Sequence, residues 1–175
     1  RRMLRETPVF AELQQRKSLA AELPLKTVLR EHRGSIVLSM LLTWVLSAAI
    51  VVVILMTPTL LQTLYGFDAA TVLKANSLAI VCLSFGCVAT GALADRVGAG
   101  LVLLLGGLLL GFAAWTFYSS LHLHPDWLFP LYALTGLLVG TIGAVPFVMV
   151  NAFPPVVRFS GLSFSYNVAY AIFGG

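Results

Sequence analysis

Long runs of apolar residues alternate with short polar segments over most of the chain. The runs fall at about 35–61, 76–94, 100–120 and 127–152, and a fifth covers 160–175. Because a helix needs roughly 20 apolar residues to cross about 30 Å of hydrocarbon, the first four runs predict transmembrane helices. The fifth predicts a truncated helix, since roughly 15 residues rise only about 22 Å.

The composition supports a membrane protein. The chain is 59% hydrophobic and 10% charged, whereas a soluble domain typically has about 25% charged residues. We therefore predict an all-α membrane protein with a cytoplasmic segment at 1–33 and a helix bundle at 34–175. The chain starts with Arg, has no signal-peptide pattern and stops within an apolar run, so we expect it to be part of a longer protein.

The basic residues predict the orientation of the bundle. Residues 1–33 hold eight Lys and Arg against four Glu, which accounts for the whole net charge of +4. If this segment is cytoplasmic, ten basic residues lie on the inner side and only Lys74 lies outside, as the positive-inside rule requires. Basic residues beside an apolar tract indicate a membrane flank rather than a nucleic-acid site. The amphipathic stretch 9–23 is either a surface segment on the membrane or a solvated linker.

The sequence contains no common enzyme motif. A nucleophile elbow, an H-E-x-x-H, a P-loop and a G-x-G-x-x-G are all missing. We therefore predict that the chain is not an enzyme and that it has no catalytic residue, cofactor or metal site. His122 and His124, with Asp126 nearby, are either solvated loop residues or part of a metal site. Cys82 and Cys87 are expected to be buried apolar residues, because their spacing matches no metal or redox pattern.

Neutral polar residues recur on single faces of the predicted helices. Thr43 repeats at four-residue spacing with Ser39 and Ser47, beside Trp44. Near the end of the chain one face carries Ser163, Tyr166, Asn167 and Tyr170. Hydroxyl and amide groups are costly in lipid, so these side chains should face protein or an aqueous cavity. We favour interhelical packing for Ser39 and Ser47, and for the last face packing and a cavity remain open alternatives.

Glycine is concentrated in the apolar runs. Gly107 and Gly111 form a G-x-x-x-G, and a second set, followed by Pro146, comprises Gly136, Gly140 and Gly143. Small residues let helix backbones approach closely, and a proline removes one backbone hydrogen bond and allows a bend. Both glycine sets therefore predict close helix packing.

Two predicted cytoplasmic junctions carry more specific patterns. GALADRVG occupies 91–98 and NAFPPVVRFSG occupies 151–161. Asp95 and Arg96 stand at a helix end, where they can contact helix termini and opposing charges as a reversible latch. The first pattern resembles the loop signature of the major facilitator superfamily in its second-half copy.

Further segments resemble the metabolite–proton symporter family, which includes carriers of α-ketoglutarate, citrate, shikimate and proline or betaine. These segments are RRMLRETPVF at 1–10, FPPVVRFSG at 153–161, SYN at 165–167 and IFGG at 172–175. The resemblance covers essentially the whole chain. It implies that the apolar runs are helices 7 to 11 of a twelve-helix fold, with 1–33 as the linker between its two halves.

The resemblance also implies a function. It predicts a secondary active transporter in the inner or plasma membrane that takes up a small organic acid or osmolyte, driven by the proton gradient without another cofactor. Its expected partners are the lipid bilayer, the small polar metabolite, protons and the N-terminal half of the same protein, which would hold the proton-carrying residues. The alternatives are a transporter-like sensor or receptor without net transport and a multi-spanning membrane enzyme.

Two sets of residues are the candidates for this function. The candidates for lining the substrate cavity are Thr43, Trp44, Tyr132, Tyr166, Asn167 and Tyr170. The candidates for conformational loop contacts are Gly91, Asp95, Arg96, Gly98, Pro154 and Arg158.

Overall fold

The computed structural model describes residues 24–173, and within this range the chain forms helices and turns but no strand. A short helix, α1, covers Pro24–Glu31. Four helices long and apolar enough to cross a membrane follow it, namely α2 (Arg33–Thr63), α3 (Ala69–Val97), α4 (Ala99–Ser120) and α5 (Pro125–Asn151). The last described helix, α6, covers Arg158–Phe173. The prediction of an all-helical protein with four membrane-length helices is confirmed, whereas the amphipathic stretch 9–23 lies outside the described residues.

The long helices follow from composition and from signals at their ends. In lipid a backbone must satisfy its own hydrogen bonds, and an apolar helix does so within one segment. Helix α3 begins at Ala69, earlier than the predicted 76, because the Asp68 side chain accepts a hydrogen bond from the Thr71 amide at 2.9 Å. Hydrogen bonds from Thr71 lower the pKa of the Asp68 carboxyl. Gly98, with φ at +93°, makes the tight turn between α3 and α4.

Helix α5 is the centre of the described bundle and contacts α2, α3, α4 and α6. Its closest approach is to α3, where a Cβ atom added at Gly86, Gly136 or Gly140 would overlap backbone atoms of the opposite helix. Helix α6 pairs with α2, and α1 packs across both. Val28 of α1 is fully buried in a small apolar cluster that includes Phe153.

The two glycine sets behave differently. Gly136 and Gly140 pack directly against α3, as the small-residue pattern predicts. A Cβ atom added at Gly107 or Gly111 would meet no atom of the described chain within 4 Å. The surrounding face of α4 is apolar and open, since Leu108 and Trp115 are each 67% exposed. This face therefore resembles a surface in contact with lipid rather than a contact between the described helices.

Two of the long helices are interrupted. Helix α2 is α-helical over Arg33–Ile50, π-helical over Val51–Met56 and α-helical again over Thr57–Thr63. Helix α5 contains a 3₁₀ segment at Gly140–Ala144. Each interruption lies just before a proline, Pro58 or Pro146, whose ring clashes with the carbonyl four residues earlier and which donates no hydrogen bond.

Candidate functional site

The predicted cavity residues fall into two groups. Trp44, Tyr166 and Asn167 are exposed on the α2–α6 pair, and Tyr170 is half-buried beside them. Thr43 and Tyr132 are fully buried in the bundle. The structure therefore does not bring all six side chains together at one surface.

The exposed group forms a polar and aromatic surface across α2 and α6. The rings of Tyr166 and Tyr170 lie 4.6 Å apart, and the ring of Trp44 lies 5.8 Å from that of Phe173. The Asn167 amide donates to the Ser163 carbonyl at 2.7 Å and retains an exposed side chain. An open groove of about 340 Å³ lies beside this surface, at its border with α1, and is lined by Leu25, Phe159, Ser160, Ser163, Phe164, Asn167 and Val168.

Thr43 is a packing residue in this structure. Its hydroxyl donates to the Ser39 carbonyl at 2.8 Å and lies 3.7 Å from the Met149 sulfur of α5. The hydroxyls of Ser39 and Ser47 are buried without a hydrogen-bond partner among the described residues. The four-residue spacing thus places small side chains where α2 meets its neighbours, as we expected for the two serines.

Tyr132 lies at the π-helical segment of α2. The Thr57 amide bonds to the Val52 carbonyl, five residues earlier, instead of to Val53. The π register would pair the Val53 carbonyl with residue 58, which is Pro58 and has no N–H. The Tyr132 hydroxyl of α5 donates to this carbonyl at 2.8 Å. Tyr132 therefore supplies the hydrogen bond that the irregular segment of α2 is missing.

Asn76 of α3 completes this contact. Its amide oxygen lies 2.6 Å from the Tyr132 hydroxyl. A hydroxyl has one hydrogen, which the Val53 carbonyl uses, so the second contact is satisfied when the Asn76 amide is turned to donate its N–H. The cluster of Val53, Asn76 and Tyr132, which we call the bulge cluster, joins α2, α3 and α5.

A second set of hydroxyls lies beside the bulge cluster. The hydroxyls of Thr57 and Tyr118 are 2.5 Å apart, and Thr57 also donates to the Val52 carbonyl at 2.8 Å. The Tyr65 hydroxyl donates to the Tyr118 carbonyl at 2.8 Å. Together they link the C-terminal end of α2 to α4 with neutral hydrogen bonds.

The histidines of the loop between α4 and α5 lie in separate aromatic stacks. The His122 ring stacks on Tyr65 at 4.3 Å, and the His124 ring stacks on Trp127 at 4.8 Å. Within residues 24–173 no group of three potential metal ligands is found. In this arrangement the H-x-H pattern has an aromatic packing role.

The loop-motif residues lie at the predicted cytoplasmic ends of the helices. Asp95 and Arg96 are exposed at the end of α3 and make no ion pair with the described residues. A Cβ atom added at Gly91 would meet no atom of the described residues within 4 Å, while Gly98 forms the turn described above. In the second motif Pro154 is exposed, and the Arg158 side chain donates to the Phe153 carbonyl at 3.2 Å.

Sequence reasoning included Tyr132 but missed Asn76, which contacts its hydroxyl, and Thr57, which lies beside the bulge cluster. Asn76 and Thr57 are polar residues within or beside long apolar runs, and neither was among the residues singled out from the sequence. The available signal was Thr57-Pro58 inside the run 35–61, because a proline within a helix leaves a carbonyl without its usual partner. The identity of the side chain that reaches this carbonyl depends on the packing of α5.

Comparisons with other proteins do not identify a relative. No protein-family model, no curated protein and no solved structure matches this chain. Its function is therefore argued from its own residues and their arrangement.

Proposed function

We propose that the chain forms part of a secondary active transporter that carries a small organic acid or osmolyte together with protons. In this proposal α2 to α6 are helices 7 to 11 of a major facilitator fold in the inner or plasma membrane. Residues 1–33 link the two halves on the cytoplasmic side. The proposal rests on the loop and linker motifs, and one structural feature supports it.

That feature is the contrast between two exposed surfaces. The open face of α4 presents leucine, phenylalanine and tryptophan side chains, as contact with lipid requires. The open face of α6 presents the polar groups of Tyr166 and Asn167 between the exposed rings of Phe159 and Phe173. Leaving hydroxyl and amide groups against lipid is unfavourable, so this face is better matched to an aqueous cavity or a second helix bundle.

The α6 face carries no charged side chain, which suggests that the two halves of the transporter have different roles. Tyr166, Asn167 and Tyr170 can donate and accept hydrogen bonds, but they carry no charge with which to bind a carboxylate. From residue 34 onward the six charged residues lie at or near helix ends, at Asp68, Lys74, Asp95, Arg96, Asp126 and Arg158. The proton carrier and any cation for a substrate carboxylate would therefore come from the N-terminal half.

The proposal is tested by uptake into vesicles. The full-length protein is reconstituted in lipid vesicles and offered labelled organic acids and osmolytes, with and without an inward proton gradient. We expect accumulation of at least one compound that depends on the gradient and that Asn167→Ala reduces at least tenfold, while Leu108→Ala on the α4 face leaves it unchanged. No accumulation of any compound from these classes would refute proton-coupled symport.

Two other functions make different predictions. A transporter-like sensor would bind a ligand and signal without uptake, so ligand-dependent stabilisation without accumulation would favour it. A membrane enzyme would convert a compound during the same incubation. The absence of enzyme motifs from this chain argues for transport over catalysis.

A further inference from the structure

We infer that the π-helical segment Val51–Met56 is a two-state element of α2, and that the Tyr132 hydroxyl selects its π register. The inference concerns helix geometry and holds whether or not the protein is a transporter. It rests on the backbone partners around Pro58 and on the three helices that meet at the bulge cluster.

The two registers of this segment leave different carbonyls without a partner. In the observed π register the Thr57 amide bonds to Val52, and the Val53 carbonyl is left for Tyr132. In an α register the Thr57 amide would return to Val53. The carbonyl of Ile54 would then face the proline ring of Pro58 without a donor. Each register therefore has one carbonyl that the helix itself cannot satisfy.

Only the π register has a side chain in place for its unpaired carbonyl. Tyr132 is fully buried and Val53 is 4% exposed, so water does not substitute for this hydrogen bond. Among residues 24–173 no side-chain hydrogen bond to the Ile54 carbonyl is present. Asn76, 2.6 Å from the Tyr132 hydroxyl, holds that hydroxyl at the bulge. The hydroxyl thus lowers the free energy of one register and not of the other.

A change of register moves the C-terminal end of α2. Conversion between the registers shifts the following helix by one residue, which corresponds to a rotation of about 100° and a rise of about 1.5 Å. The segment that moves is Thr57–Thr63, which contains the buried Thr57 and Leu61. Helix register shifts of this kind occur on a microsecond-to-millisecond scale. Tyr132 therefore holds the C-terminal end of α2 in its packed position.

A distance measurement tests the role of Tyr132. Spin labels are placed at the exposed positions Gln62 and Lys74 of the full-length protein in lipid, with Cys82 and Cys87 replaced by alanine. We expect one distance in the parent protein. In Tyr132→Phe a second distance appears, because loss of one buried hydrogen bond changes the ratio of registers by about tenfold.

The matched control is Tyr65→Phe. This change also removes a hydroxyl that donates to a backbone carbonyl at 2.8 Å, but it lies away from the bulge. We expect it to retain a single distance. Identical distance distributions for Tyr132→Phe and Tyr65→Phe would overturn the inference.

Pro58→Ala tests the same idea if Tyr132→Phe does not fold. An alanine supplies the missing N–H and removes the ring clash, so the α register no longer leaves a carbonyl unpaired. We expect Pro58→Ala alone to produce the second distance, and Tyr132→Phe in that background to change it no more than Tyr65→Phe does. A distance distribution unchanged by Pro58→Ala would show that the segment has only one register.

Discussion

Gly136→Ala adds one methyl group at the closest contact between α3 and α5. An added Cβ atom would lie 2.8 Å from the Ala79 Cα and 2.9 Å from its carbonyl carbon, with the carbonyl oxygen closer still. These are backbone atoms of a helix, so no side-chain rotation relieves the overlap. The two helices must separate, and a gap of 0.5–1 Å already removes a quarter to a half of the dispersion energy of each contact.

The expected magnitude follows from these contacts. Overpacking a well-filled interior lowers the free energy of unfolding by about 1–3 kcal/mol. The higher helix propensity of alanine offsets at most about 1 kcal/mol of this loss. We therefore expect Gly136→Ala to be clearly destabilising in the full-length protein.

Gly107→Ala is the matched control for this prediction. It makes the same chemical change within a helix of membrane-spanning length, at a position where the added atom meets no atom of the described residues within 4 Å. We expect its free energy of unfolding to equal or exceed that of the parent protein. Thermal or SDS-induced unfolding of purified protein in one detergent compares the two variants. Equal stability of Gly136→Ala and Gly107→Ala would refute the glycine contact between α3 and α5.

Three further predictions concern single polar groups. Thr57→Val keeps the side-chain shape but removes the hydroxyl that bonds to the Val52 carbonyl and to Tyr118. We therefore expect the free energy of unfolding to fall by about 1–3 kcal/mol. An unchanged free energy of unfolding would contradict these bonds. The lowered pKa of Asp68 means that its cap on α3 stabilises the protein above the unfolded pKa of about 4 and is lost as pH falls through the folded pKa. Asp68→Asn retains a capping side chain that does not titrate, so its melting temperature should fall less than that of the parent on acidification, and parallel curves would argue against the cap. Asn167→Cys should react with a water-soluble maleimide while Leu108→Cys does not, and the reverse result would place the α6 face in lipid.

The two interruptions of α2 and α5 have related causes and different surroundings. Both precede a proline, and both change the hydrogen-bond register of a membrane-length helix. The π segment is held by side chains from two other helices, whereas the 3₁₀ segment packs against α3 through Gly140 and Gly143. One interruption therefore depends on a hydroxyl and the other on the absence of side chains.

The candidate site was only partly accessible to sequence reasoning. The face of Tyr166, Asn167 and Tyr170 follows from helical spacing alone, because residues three and four apart share a face. Trp44 and Thr43 are adjacent in sequence, yet the first is exposed and the second is fully buried. Their neighbours in the bundle decide this difference, and no local pattern reports it.

The sequence by itself determined that the described chain is helical and that four of its helices are long and apolar enough to cross a membrane. Apolar runs of sufficient length specify membrane helices, since a backbone in lipid has no other partner than itself. The same local logic explains the Asp68 cap and the turn at Gly98, because each depends on neighbours only a few residues away.

Only the tertiary structure decided which glycine patterns lie at helix contacts and which side chain bonds to the carbonyl near Pro58. Gly136 and Gly107 both belong to small-residue patterns, but α3 covers the first and no described helix covers the second. Likewise Pro58 predicts an unpaired carbonyl, but the hydroxyl that satisfies it comes from Tyr132, far along the chain on α5. A carbonyl without a local partner can be satisfied only by the helices that pack around it, and their arrangement depends on the whole bundle.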